Sequence, residues 1–114
     1  MLSLAPNVRV FLRVVPTDMR QSFDGLGGLV RSAFGREPRD GGWFLFINKR
    51  RDRIKILAWD RDGLAIWAKR LERGTYEELA ADGDATTREL DATAFALLLA
   101  GVKLDAPRRR RFAG

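Results

Sequence analysis

Two stretches of alternating residues flank a short turn at residues 60–63 and constrain the fold more than any other feature. Residues 53–59 alternate between an aliphatic set and a charged or aromatic set, and residues 64–69 repeat the alternation. A period of two is typical of a β-strand with two distinct faces, and the intervening Asp-Arg-Asp-Gly sequence is typical of a hairpin loop. A chain of 114 residues that contains such a hairpin is expected to build its domain on an antiparallel sheet.

The two faces of this hairpin predict its register, because cross-strand partners point to the same side of a sheet. Matching the aliphatic residues at 54, 56 and 58 with those at 64, 66 and 68 requires a loop with an odd number of residues. A three-residue loop at 61–63 meets that requirement, with Gly63 in the left-handed conformation. Lys55 then lies opposite Lys69 and Trp67 opposite Leu57, so one face is aromatic and basic. The alternative is that a helix covers this face and the lysines extend out at its edge.

Other segments supply the remaining elements. Residues 8–14 alternate as a strand that ends at Pro16, residues 43–47 form a buried strand, and residues 87–90 form a short strand. An apolar stripe from residue 19 to residue 34 predicts a helix, with Thr17 or Asp18 as its N-cap and Gly35 as its stop. Inside it, Gly27 and Gly28 indicate close packing on the sheet or a weakened turn.

Near the carboxyl end, Asp91 is expected to cap a second helix over residues 92–100, with Gly101 at its end. Leu90 and Phe95 have the spacing of a hydrophobic staple. We therefore predict one small α+β domain over residues 1–107, with a mainly antiparallel sheet. Its order along the chain is strand, helix, three-strand meander and C-terminal helix. A basic tail, residues 108–114, is expected to be disordered in the free protein.

Composition excludes several classes of chemistry. The chain contains no cysteine and no histidine, so it has no thiolate nucleophile, imidazole base, disulfide or sulfur- or imidazole-based zinc site. A phosphate-binding G-x-G-x-x-G sequence is also absent. We predict no catalytic residue, no metal and no cofactor, and hence no enzyme. The first residues show no signal peptide or membrane span, which predicts a cytoplasmic protein without a membrane partner.

The basic residues are unevenly distributed. Residues 1–73 hold 15 basic and 8 acidic side chains, residues 74–107 hold 2 and 7, and residues 108–114 hold 4 and 0. A phosphate-binding surface is therefore expected at one end of the meander and in the tail. The predicted nucleic-acid-binding residues are Lys49, Arg50, Arg51, Arg53, Lys55, Lys69, Arg70, Arg73, Arg108, Arg109, Arg110 and Arg111. A solvated, arginine-rich surface without a ligand is the alternative.

Two further sets of residues have more than one interpretation. Trp59 and Trp67 are candidates for base stacking or for anchoring an interface, although core packing is favoured for both. Two or three of the carboxylates Asp18, Asp24, Asp52, Asp60 and Asp62 would hold magnesium if they converged. Ordinary turn and capping chemistry explains such residues more simply.

Several motifs resemble one family over nearly the whole chain, from about residue 4 to residue 107. They occur in the order Thr17-Asp18-Met19-Arg20, Phe23-Asp24-Gly25-Leu26, Asp52-Arg53-Ile54-Lys55-Ile56-Leu57, Trp59-Asp60, Asp62-Gly63-Leu64, Trp67, Lys69-Arg70-Leu71-Glu72-Arg73-Gly74, Leu97-Leu98 and Gly101. The chain thus resembles the TnpB-type accessory proteins of insertion sequence 66 elements, a family distinct from the RNA-guided nuclease that shares the name. The resemblance implies a bacterial mobile-element protein, encoded beside a larger transposase and without known catalytic residues.

The expected function is that of a non-catalytic accessory factor in transposition, which binds DNA or the transposase through the basic hairpin. One alternative is a pure protein-interaction module that docks on the transposase, with the tryptophans as anchors. A weaker alternative is a metal-dependent nuclease that uses Asp18, Asp60 and Asp62. Neither the oligomeric state nor the exposed face of the sheet follows from the sequence.

Overall fold

A computed structural model describes residues 7–100 of the chain. Its elements are β1 (Val10–Arg13), α1 (Phe23–Phe34), a short 3-10 helix (Pro38–Asp40), β2 (Trp43–Ile47), β3 (Arg53–Asp60), β4 (Gly63–Arg70), β5 (Thr87–Leu90) and α2 (Ala92–Leu99). The five strands form one sheet in the order β4-β3-β2-β1-β5. Only β1 and β2 run parallel among these pairs, joined through α1, and the other three pairs are antiparallel. The predicted α+β class with a mainly antiparallel sheet is confirmed.

The sheet is buried on both sides. On one face, Leu12, Leu45 and Ile56 pack with residues of β5, with α2 and with the buried Tyr76. On the other face, the aromatic residues of β1 and β2 and Leu57 of β3 pack against α1 through Leu26. Strand residues alternate between these two clusters, as the period of two requires. We refer to these as the α2 face and the α1 face.

The predicted register of the β3–β4 hairpin is wrong by one residue. Asp60 pairs with Gly63, so the loop contains two residues, and Lys55 lies opposite Ala68. Lys69 instead lies opposite Ile54, on the other face from Lys55. The matching of aliphatic residues fails here because both faces of the sheet are buried, so an apolar side chain of β4 finds a contact on either side. The positive φ falls on Arg61 (58°) and not on the expected glycine.

The ends of the helices follow local chemistry. Gly35 ends α1 in the left-handed conformation, and the Asp91 side chain accepts a hydrogen bond from the Ala94 amide at the start of α2, both as predicted. The predicted start of α1 is wrong, since Ser22 occupies the N-cap position. Asp18 is committed elsewhere, because its carboxylate accepts the amide of Arg20 in a local turn.

Leu90 and Phe95, the two residues of the predicted hydrophobic staple, are both buried in the cluster on the α2 face. Within residues 7–100, no helix reaches the length and apolar character needed to cross a membrane. The expected end of α2 at Gly101 and the tail at 108–114 lie outside the described residues.

The two central glycines of α1 are not required by packing. A Cβ atom on Gly28 would meet no atom within 4 Å, and one on Gly27 would make only an ordinary contact of 3.8 Å with the Arg31 side chain. Close packing on the sheet therefore does not explain Gly28, and the pair weakens the helix through the conformational freedom of glycine.

We predict that Gly28→Ala raises the free energy of unfolding by about 1 kcal/mol, because alanine loses less backbone entropy on entering a helix. Chemical denaturation at constant temperature measures the change. Gly42→Ala is the contrasting variant, since Gly42 has a φ of 100° and its Cβ would lie 3.2 Å from the Phe11 ring. That variant should lose stability, and a neutral or destabilising Gly28→Ala would contradict the interpretation of α1.

Candidate nucleic-acid interface

The turn between β2 and β3 is organised by Asn48. Its side-chain oxygen accepts hydrogen bonds from the amides of Asp52 (3.1 Å) and Arg53 (3.0 Å), and its side-chain amide donates to the Asp52 carboxylate at 2.8 Å. The Asn48 side chain thus accepts two hydrogen bonds and donates one, and together they fix the backbone of the short turn. Lys49 and Arg50 are exposed at the tip of this turn. Their cationic groups therefore project from a fixed backbone.

Two arginines lie directly opposite each other beside this turn. Arg53, the first residue of β3, pairs with Arg70, the last residue of β4, and both are exposed. Lys69 is exposed next to Arg70 on the opposite face of the same strand. Like charges in directly opposed positions of an antiparallel pair destabilise a sheet. The Arg53–Arg70 pair therefore destabilises this end of the sheet through charge repulsion.

We call the exposed set Lys49, Arg50, Arg53, Lys69 and Arg70 the basic end. Within residues 7–100, the ion pairs are Arg9 with Glu89, Arg20 with Asp18 and Arg31 with Glu37, and none involves the basic end. Asp52 is the acidic residue next to it in the chain. The hydrogen bond from Asn48 is the main cause that lowers the pKa of Asp52 below its ordinary value. The basic end therefore carries a clear excess of positive charge.

Arg51 has an internal role. Its guanidinium donates to the backbone carbonyls of Tyr76, at 2.9 Å, and Glu77. The Arg51 carbonyl in turn accepts the Tyr76 amide at 2.7 Å. The side chain is half-buried, and burial lowers its pKa from the ordinary value. Arg51 thus links residues 76–77 to the β2–β3 turn, and its guanidinium donates these hydrogen bonds within the protein.

Lys55 also makes hydrogen bonds within the protein. Its ammonium donates to the carbonyls of Met19 (2.9 Å) and Gln21 (2.8 Å), in the segment that leads into α1. The helix α1 does cover the face of β3 that carries Lys55, because Leu57 on that face is fully buried under it, whereas Lys69 lies on the other face of the sheet. The charge of Lys55 remains unneutralised, since its partners are carbonyl groups. It contributes positive potential to a groove of about 440 Å³.

This groove runs beside the opposed arginines and is lined by residues of both hairpin strands and of the segment before α1. The lining residues are Met19, Arg53, Ile54, Lys55, Ala68, Lys69 and Arg70. Sequence reasoning missed Met19 as a lining residue and Asn48 as the organiser of the turn. An asparagine at the start of a tight, charged turn is a recognisable signal for Asn48. No local pattern indicates Met19, whose backbone carbonyl accepts a hydrogen bond from Lys55 beside the groove.

The two tryptophans lie on opposite faces of the sheet. Trp67 is half-buried opposite Ile56 and packs with the cluster on the α2 face. Trp59 lies on the α1 face opposite Leu64, with the Arg39 guanidinium 5.2 Å from its ring centre. Its indole N–H donates to the Arg61 carbonyl at 2.9 Å. The aromatic and basic face predicted from the hairpin register therefore does not form, and the two rings cannot stack on one ligand.

The three carboxylates considered for a metal site are not brought together. Asp18 is bound to Arg20, whose hydrogen bonds lower the pKa of Asp18 to about 2. It lies near residues 48–50, whereas Asp60 and Asp62 lie at the far end of β3. The two ends of β3, Arg53 and Asp60, are about 23 Å apart at ~3.3 Å for each step along the strand. Among residues 7–100, no group of three acidic side chains is placed to hold a metal ion.

The remaining predicted binding residues fall elsewhere. Arg73 is exposed in the bend that follows β4. Arg108, Arg109, Arg110 and Arg111 lie outside the described residues. The structure thus brings five of the twelve predicted cations to one sheet end as an exposed set, and it assigns internal hydrogen bonds to Arg51 and Lys55.

The fold and the basic end define a small α+β protein with one strongly cationic end of its sheet. A family model described as IS66 Orf2 like protein matches residues 8–109. The chain therefore belongs to the IS66 Orf2-like family, and the resemblance noted in its sequence is confirmed. Membership supports an accessory role in the transposition of IS66-type insertion sequences.

Two relatives come from Sinorhizobium fredii (strain NBRC 101917 / NGR234). The chain is 31% identical to the uncharacterized protein y4hO over 107 residues, which cover 94% of this chain and 91% of y4hO. It is 34% identical to the uncharacterized protein y4jC over 76 residues, which cover 67% of this chain. That match spans 65% of y4jC, slightly less than two thirds of its length. No solved structure matches the chain.

We predict that Arg51→Lys lowers the free energy of unfolding by about 2 kcal/mol, because an ammonium cannot reproduce the fork that binds two carbonyl groups. The neighbouring Arg50→Lys is the matched control, with an expected change within about 0.5 kcal/mol at an exposed position. Urea denaturation of both variants measures the difference. Equal stability of the two variants would contradict the internal role of Arg51.

Proposed function

We propose that the protein is a non-catalytic, cytoplasmic accessory factor of IS66-type transposition that binds DNA through the basic end. The opposed pair Arg53 and Arg70 is the observation that carries this proposal. Directly opposed arginines repel in the free protein, and a phosphate group placed between or above them removes that repulsion. The groove beside the pair gives a phosphate backbone room to approach.

The placement of the charges supports a polyanion over a small anion. Lys49 and Arg50 project from the turn, while Arg53 and Arg70 lie on the α1 face and Lys69 on the α2 face. The charges therefore surround the end of the sheet and do not converge on one point. Contacts of this kind follow the repeating phosphates of a duplex and contribute affinity without reading sequence.

We predict that the double variant Arg53→Gln, Arg70→Gln weakens binding to duplex DNA from the element ends. The slope of log K against log salt should become shallower by about 2, close to one unit for each lost phosphate contact. Fluorescence anisotropy across a range of salt concentrations measures both quantities.

The matched control is Arg39→Gln, Arg61→Gln, which removes the same charge near the other end of β3. Arg61 lies in the β3–β4 loop, and Arg39 lies over Trp59. The control should retain most of the affinity and the original salt slope. Equal losses in the two double variants would show that net charge alone matters, and unchanged binding in both would eliminate the basic end as the DNA surface.

Docking on the transposase is the second candidate function, and one exposed side chain favours it. Phe23 is 46% exposed, the largest exposure of a bulky apolar residue among residues 7–100. It begins α1, two residues after Gln21, whose carbonyl binds Lys55. An exposed aromatic residue beside a charged rim has the composition of an anchor in a protein interface.

We predict that Phe23→Ser reduces capture of the protein by purified transposase in nuclease-treated buffer and leaves DNA affinity unchanged. The Arg53→Gln, Arg70→Gln variant should show the opposite pattern, which separates the two functions. Because Phe23 is exposed, the substitution is expected to leave the fold intact, and circular dichroism checks this. Undiminished capture of Phe23→Ser would exclude Phe23 as the docking residue.

A further inference from the structure

The strand β4 lies at one edge of the sheet. Among residues 7–100, its backbone hydrogen bonds are those of the ladder with β3. Asp60 and Gly63 close the hairpin as a pair, and the Leu71 amide donates to the Asp52 carbonyl just beyond the strand. Odd-numbered residues of β4 therefore direct their amide and carbonyl groups to β3. The groups that point away from the sheet belong to Leu64, Ile66, Ala68 and Arg70.

This edge lacks most of the features that prevent strand pairing. Residues 64–68 are five consecutive apolar residues, of which Ala65 and Ala68 are exposed. Natural edge strands are usually short, charged, interrupted by proline or covered. The opposite edge, β5, has four residues and carries Arg88 and Glu89. By contrast, β4 has eight residues, with charges only at its last two positions.

The edge is also complementary to itself. Its carboxyl end carries Lys69 and Arg70, whereas the turn at its amino end holds Asp60, Arg61 and Asp62, which together carry one net negative charge. When two copies of β4 pair antiparallel with Leu64 opposite the partner's Arg70, Asp62 becomes a diagonal neighbour of that Arg70, within reach of its long side chain. A two-fold axis makes the same favourable contact twice, as in an isologous dimer.

We propose that a second copy of this chain pairs antiparallel along β4, joining two five-stranded sheets into one of ten strands. The register that uses every outward group of residues 64–70 places Ile66 opposite the partner's Ala68 and Leu64 opposite the partner's Arg70. About eight backbone hydrogen bonds form in this arrangement. Trp67 then lies at the two-fold axis, facing the partner's Trp67 as a non-hydrogen-bonded pair, the position in which cross-strand aromatic contacts are closest.

A single cysteine tests this register, because the natural chain contains none. Trp67→Cys brings two Cα atoms to about 4.5 Å across the axis, within the range for a disulfide. Ala65→Cys is the matched control, since its two copies lie four residues apart along the strands, about 13 Å. Mild oxidation in DNA-free buffer should convert most of the Trp67→Cys protein, and little of the Ala65→Cys protein, to a covalent dimer. Absence of this difference overturns the register.

A second pair of variants tests the dimer without removing the tryptophan. Ala68→Pro deletes an outward amide and leaves the ladder with β3 intact, because proline is tolerated where the amide of an edge strand faces outward. Ala68→Thr keeps the amide. By sedimentation velocity, the natural chain and Ala68→Thr should be dimers and Ala68→Pro a monomer, with equal circular dichroism spectra. A monomeric natural chain, or a dimer that persists in Ala68→Pro, overturns the proposal. Neither experiment involves DNA. A negative result would therefore overturn the dimer without contradicting the proposed DNA-binding surface, which the salt dependence of binding tests separately.

Discussion

The two-residue loop between β3 and β4 determines which face of the sheet every side chain of β4 meets. With Asp60 paired to Gly63, Trp67 joins the cluster on the α2 face, and Ile66 joins the cluster under α1. The same register places Arg70 opposite Arg53. A loop longer by one residue would exchange the two faces of the strand and separate the arginines. The core, the groove and the basic end all depend on this one connection.

The secondary structure was largely predictable from the sequence, because it depends on local periodicity and capping. The meander, both helices and the short strand β5 follow from apolar spacing and from residues such as Gly35 and Asp91. The register of the hairpin was not predictable in the same way. The residue with positive φ in its loop is Arg61, whereas glycine is the usual residue in that conformation. The prediction assigned the left-handed conformation to Gly63 instead, and this assignment required a three-residue loop.

The candidate site was predictable as a location and less so as a set of residues. The turn at 48–52 and the end of β4 do meet, which brings Lys49, Arg50 and Arg70 to one region. Counting basic residues in the sequence does not distinguish exposed cations from internally bonded ones. Arg51 and Lys55 donate hydrogen bonds to backbone carbonyl groups of segments that are distant in the chain. Such partners have no local signature, since a backbone carbonyl is present at every residue.

The opposed arginines link the stability of the fold to its ionic surroundings. Dissolved salt screens the repulsion between Arg53 and Arg70 and so favours the folded free protein, while the same salt weakens attachment to a polyanion by counterion release. Under the proposed function, the stability of the free protein and its affinity for DNA therefore change in opposite directions as ionic strength rises. Under the proposed function, DNA bound at the basic end is a stabilising ligand of the native state, because its phosphates remove the repulsion between the two arginines.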